Sequence, residues 1–138
     1  MAETQPKASA ALRMISPQFA VPDVVVAAEY YRDVLGFQIL GYFWDPPVYS
    51  IVRRDAVEIH FGKLDSGTAP APNISRREES VDAYIWVSDL DPLFAEFTGR
   101  GAKILEPPAL RVYQCYEMVV EDHVGFRLAF GMDVSKQA

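Results

Sequence analysis

The second half of this chain repeats the first in outline. With an offset of 66, Phe19, Val21 and Asp23 fall on Ile85, Val87 and Asp89, and Tyr31 falls on Phe97. A one-residue slip then brings Gly36, Ile39 and Leu40 onto Gly101, Ile104 and Leu105. Near the two ends, VEIHFG at 57–62 meets FRLAFG at 126–131 with an offset of 69. Three matches in the same order mark an internal duplication, in which each copy folds as one unit and buries its apolar face against the other. At 138 residues the chain has room for two such small modules sharing a core, and for little else.

Within the first copy, residues 16–21 alternate in polarity as a strand does. Asp23 stands where an N-cap belongs, ahead of VVAAEYYRDVLG, whose apolar residues recur at helical spacing, and Gly36 closes that helix. FQILGYF, VYSIVRR and AVEIHFG follow as three strand-like runs, the first two separated by the WDPP break. The first module therefore reads βαβββ over residues 14–63. Residues 64–80 hold Pro, Gly, Ser and charge without a period and read as a linker, and residues 81–132 repeat the βαβββ order. Residues 1–13 and 133–138 carry no pattern and are expected to be flexible.

Splitting each strand by parity separates two faces. Pro17, Phe19 and Val21, Val57, Ile59 and Phe61, Ala83, Ile85 and Val87, and Phe126, Leu128 and Phe130 make one face almost wholly apolar, so it must take the helices. The other parity carries Ser16, Gln18 and Ala20, Glu58, His60 and Gly62, Asp82, Tyr84 and Trp86, and Arg127, Ala129 and Gly131. A face that merely met water would favour Lys, Glu and Thr, whereas this mixture of amide, carboxylate, imidazole, aromatic and guanidinium suits a concave ligand site.

Charge and cysteine content narrow the partners. Lys and Arg total 13 against 19 Asp and Glu, a net charge of −6 that argues against a polyanion and for a cationic partner. The single cysteine, Cys115, cannot form an intramolecular disulfide, and the N-terminal residues lack the apolar core of a signal peptide, so a cytoplasmic protein is expected. No apolar run approaches the roughly 18 residues needed to span a bilayer, so no membrane partner is expected. Gly-rich phosphate loops and nucleophile elbows are missing from the sequence, and nothing points to a nucleotide or nucleic acid.

Three segments, FAVPDVVVAAEYYRDVLGF, IWVSDLDPLFAEFTGRGAKIL and VVEDHVGFRLAFG, together resemble the vicinal oxygen chelate superfamily, which includes glyoxalase I, extradiol dioxygenases, fosfomycin-resistance enzymes and bleomycin-resistance proteins. The likeness covers about residues 14–132, with Asp122-His123 standing where the family usually has Asp-Pro. It implies an α+β fold of two tandem βαβββ modules, forming a U-shaped, partly open mixed β-sheet barrel with the helices outside, and a homodimer. Metal-dependent members take ligands from four inward positions, which align here with Ser16, His60, Asp82 and Ala129. Only His60 and Asp82 ligate well, so no catalytic metal is expected and the nearest branch is the metal-independent, bleomycin-resistance-like one. A slip of two residues would offer Gln18, Glu58, His60 and Asp82 to one divalent ion instead.

The expected function is therefore binding of a small, cationic, aromatic ligand without a catalytic metal. Trp44, Trp86 and Tyr84 would stack on it, and Glu58 and Asp82 would meet its charge. Gln18, His60 and Arg127 would orient it, with Tyr113 nearby in the loop before the last hairpin. Arg127 would either pair with Glu58 or read an anionic group. His60 is the candidate general base should a reaction occur, and Cys115 reads as an inert hydrophobe. The competing expectations are a divalent-metal-dependent lyase, isomerase or dioxygenase acting on vicinal oxygens, and a module whose cleft is vestigial.

Overall fold

In the computed structural model, which describes residues 9–136, each half of the chain lays down one helix and four strands. The first half holds β1 (Gln18–Val21), α1 (Val24–Leu35), β2 (Gln38–Phe43), β3 (Tyr49–Arg54) and β4 (Val57–Lys63). The second holds β5 (Ala83–Trp86), α2 (Leu90–Arg100), β6 (Lys103–Leu110), β7 (Cys115–Glu121) and β8 (Arg127–Asp133). A short 3-10 turn at Asn73–Ser75 interrupts the segment between them. The expectation of loose termini falls in part on residues 1–8 and 137–138, which lie outside the described residues.

The strands form two four-stranded mixed sheets, in the orders β1-β4-β3-β2 and β5-β8-β7-β6, and the sheets do not close into a barrel. In each, the first strand runs parallel to the last while the other pairs are antiparallel. The register is the same in both: Gln18 pairs with His60, and Tyr84 with Ala129. No helix among the described residues is long and apolar enough to cross a membrane.

Both helices begin at an aspartate and end at a left-handed glycine, Gly36 or Gly101, where a Cβ would be strained. The two aspartates differ in what they do. Asp23 accepts hydrogen bonds from the backbone N–H of Val25 and Val26, whereas the Asp89 side chain makes no cap hydrogen bond. Replacing Asp23 by Ala is therefore expected to remove about 1 kcal/mol of stability, and replacing Asp89 by Ala only a few tenths, as read from urea unfolding. Equal losses would show that cap geometry does not set the difference.

Apolar parity drives the packing. Phe19, Val21, Ile59, Phe61, Ile85, Leu128 and Phe130 are buried in one core with Val24, Ala27, Ala28, Tyr31 and Leu35 of α1 and Leu90 and Phe97 of α2. The modules meet on this helix side: Phe19 stacks on Phe126, Tyr31 donates to Asp122 (2.8 Å), and Arg54 pairs with Glu96 (2.7 Å). The other parity stays more open in β1, where Gln18 and Ala20 are exposed, but Ala129 and Gly131 are buried. Gly131 is covered because the Tyr84 ring lies across its bare backbone.

Candidate functional site

The sheet face opposite the helices carries one hydrogen-bonded cluster in each module. In the first, Gln18 Nε2 donates to the Tyr49 hydroxyl (2.9 Å), Tyr49 bonds His60 Nδ1 (2.7 Å), and His60 Nε2 bonds Glu58 (2.7 Å). With Gln18 donating to the Tyr49 oxygen, the Tyr49 hydroxyl can donate in turn to Nδ1, and the Nε2–H of that tautomer donates to Glu58. Adjacent antiparallel pairing explains the meeting: Arg53 sits opposite Glu58, and Ile51 opposite His60, so Tyr49, two residues from Ile51, shares the face. Arg53 also bonds Glu58 (2.8 Å), and the His60 hydrogen bond, with that of Arg53, holds the Glu58 carboxyl below its ordinary range.

In the second module the buried Glu117 carboxylate, 6% exposed, receives the hydroxyls of Tyr84 (2.8 Å) and Tyr113 (2.7 Å). Arg111 lies 3.5 Å from it and is shared with Glu106. Burial, reinforced by Glu117, pushes the Tyr84 phenol well up and that of Tyr113 to about 12, so both remain proton donors at neutral pH. Trp86 packs on Tyr84, with ring centroids 4.7 Å apart, yet remains 63% exposed. Register makes the two clusters counterparts: Tyr49 and Glu117 oppose Gly62 and Gly131, and Gln18 corresponds to Tyr84.

Several sequence-predicted residues are placed differently from expectation. The residues level across the sheets are Gln18 with His60 and Tyr84 with Ala129, so Ser16 and Asp82 stand two positions before the residues that pair with His60 and Ala129. Asp82 is occupied elsewhere: its oxygens accept from the backbone N–H of Asn73 (2.7 Å) and Arg127 (2.8 Å), pinning the inter-module segment. Arg127 does not pair with Glu58: the carboxylate it meets is that of Glu121 (3.3 Å), opposite it across the β7–β8 pair. Trp44 stands exposed on the turn after β2, and the structure brings it to neither cluster.

Tyr49 and Glu117 are the residues that sequence reading missed as members of the site. The signal was present: with an offset of 68 they are the same position of the repeat, on the parity that faces away from the helices. Cys115 is buried, as a structural thiol would be. Among the described residues, no three His, Cys, Asp or Glu side chains gather as a metal-ion group, and no hydrogen bond joins one polar cluster to the other.

With this geometry in place, comparison with known proteins identifies relatives. The family model described as Glyoxalase/Bleomycin resistance protein/Dioxygenase superfamily matches residues 13–130. No curated protein matches the chain. Among solved structures, TioX from Micromonospora sp. ML1 superposes with a TM-score of 0.69 at 18% identity, over 87% of this chain and 98% of that one. A member of the same superfamily from Sphaerobacter thermophilus gives 0.69 at 17% identity, over 89% and 98%. Virulence protein STM3117 from Salmonella typhimurium gives 0.66 at 18%, over 91% and 100%. At such identities the likeness is one of fold.

Proposed function

Because the chain belongs to the Glyoxalase/Bleomycin resistance protein/Dioxygenase superfamily, we propose that it uses its two polar sheet faces to hold a small, planar, cationic ligand without a catalytic metal. The observation that carries this reading is Trp86, a large indole left open beside Tyr84, whose hydroxyl fixes the buried Glu117 carboxylate. An aromatic cation laid on that indole gains ring overlap and cation–π attraction, with a negative charge behind it. Glu106 and Glu117 outnumber Arg111 in the cluster behind the indole, so the local charge there is negative, as is the chain's net charge of −6.

Donor chemistry supports the metal-free part. A catalytic divalent ion typically needs about three protein ligands around an open position. The four aligned positions, Ser16, His60, Asp82 and Ala129, offer a hydroxyl, an imidazole whose two nitrogens are both engaged, a carboxylate whose two oxygens each accept a backbone N–H, and a methyl. That set does not fit the ion.

Each polar cluster is built within its own module, while the contacts between modules lie on the helix side. A second copy of the chain would supply the opposite wall, and we take the binding unit to be a homodimer in the cytoplasm.

The test is fluorescence titration with proflavine, a planar aromatic cation, alongside sedimentation of the free protein. Saturable quenching at one equivalent per chain is expected, and Trp86→Ala should weaken binding by about 1–3 kcal/mol. Unchanged affinity in that variant, or no quenching at all, would overturn the reading. So would retention of about one Ni, Zn, Mn or Fe(II) ion per chain after desalting.

A further inference from the structure

The repeat makes each half of the molecule a reference for the other. Beside the β7–β8 turn the space between modules is filled by rings: Phe19 stacks on Phe126 with centroids 4.6 Å apart, and Tyr30 stacks on His123 at 4.9 Å. The offsets of 66 to 69 carry these residues onto Ile85, Val57, Glu96 and Asp55 beside the β3–β4 turn. Four rings are exchanged for two aliphatic side chains and two carboxylates. What remains there is a cavity of about 520 Å³. That volume falls in the range of small-molecule sites, roughly 300–1,000 Å³.

Its apolar wall is formed by Phe37, Val57, Ile85, Leu93, Phe97 and Phe130, with Trp86 also in the lining and charged side chains completing it. The one ion pair in its lining is internally satisfied. Arg54 binds Glu96 through two hydrogen bonds of 2.8 and 2.7 Å and also donates to the Leu35 carbonyl, and Glu96 accepts from Arg100. Two further carboxylates, on the exposed residues Asp55 and Asp89, line the same cavity. Asp55 and Asp89 make no ion pair and no side-chain hydrogen bond among the described residues, and Asp89 is the helix cap that leaves its helix uncapped.

We infer that this cavity, on the helix side of the sheets and bordered by Trp86, is a second binding site, for a small amphiphilic amine. The apolar body of the ligand fills the space that the Phe19–Phe126 stack fills in the other half, and its ammonium group meets Asp55 and Asp89. A carboxylate or phosphate head is disfavoured, because Arg54 is already engaged by Glu96 and the free charges are negative. The apolar walls reward the body of the ligand by area removed from water, and the carboxylates select the sign of the head.

The experiment is a titration with n-hexylammonium, n-hexanol and hexanoate, followed by amide and methyl chemical shifts in NMR spectra and by sedimentation. Saturable shifts at Val57, Ile85 and Leu93 are expected with hexylammonium, weaker ones with hexanol, and none with hexanoate. Asp89→Asn should weaken hexylammonium by about threefold to tenfold, the span of one partly exposed ion pair. The paired change Val57→Phe and Ile85→Phe rebuilds the stack of the other half and should abolish the shifts while leaving the oligomeric state as it was. Equal binding of hexanoate, shifts confined to other residues, or an Asp89→Asn variant that binds as tightly as the parent would overturn the inference. A change of oligomeric state in the filled variant would do so too, since it would make a second copy of the chain the occupant.

Discussion

Replacing Asp122 by Ala is expected to lower folding stability by about 3 kcal/mol or more, a large share of the roughly 5–15 kcal/mol by which a domain of this size is stable. The Asp122 carboxylate is 5% exposed and serves four donors. One oxygen accepts from the backbone N–H of Val124 (3.0 Å), Gly125 (3.0 Å) and Phe126 (2.9 Å), shaping the turn before β8, and the other accepts from Tyr31 of α1 (2.8 Å). Those groups lie at the junction of the modules, beside the Phe19–Phe126 stack, where water reaches them poorly. Buried donors left without an acceptor each cost about 1–3 kcal/mol before relaxation. Tyr31→Phe provides the comparison, since it removes one hydrogen bond and leaves the turn intact; about 1 kcal/mol is expected. Urea unfolding reads both, as a shift in midpoint at unchanged slope. A loss below about 1 kcal/mol for Asp122→Ala would mean that the turn closes without it.

Local chemistry made much of this fold legible in the sequence. Asp23 and Gly36 delimit α1 because an N-cap oxygen and a left-handed residue act within a few positions of the helix they bound. Alternation separates Phe19, Ile59, Ile85 and Leu128 from the polar parity because the strand period acts on consecutive residues. The site was less legible, since its bonds join distant segments. Asp82 reads as a ligand on its parity, yet two backbone N–H groups, one of them 45 residues away, claim its oxygens. Glu117 looks like a solvated carboxylate until Tyr84, 33 residues earlier, is brought over it. Ser16 and Gln18 share a parity, and only the pairing of β1 with β4 decides which of them stands beside His60. The duplication offered a remedy, because aligning Tyr49 with Glu117 and Gly62 with Gly131 would have exposed both clusters at once.

That last pair of glycines supports a sharp expectation about the second cluster. A Cβ built on Gly131 would lie 2.1 Å from the Tyr84 hydroxyl oxygen, 2.8 Å from its ring carbon and 3.1 Å from the Glu117 Cβ. A Cβ on Gly62, the same position of the repeat, would meet Gln18 and Tyr49 no closer than 3.9 Å, ordinary van der Waals contact. Gly131→Ala must therefore push Tyr84 off the strand, overpacking β8 and breaking the Tyr84–Glu117 hydrogen bond of 2.8 Å. A stability loss of about 1–3 kcal/mol is expected. Gly62→Ala should stay within about 0.5 kcal/mol of the parent. Displacing Tyr84 also moves the ring on which Trp86 rests, so proflavine binding should fall in Gly131→Ala and persist in Gly62→Ala. Parallel unfolding curves for the two variants would show that strand glycine content, and not the close approach of Tyr84, sets their stability. A Gly131→Ala protein that is destabilised yet binds proflavine as the parent does would detach Tyr84 from the ligand face.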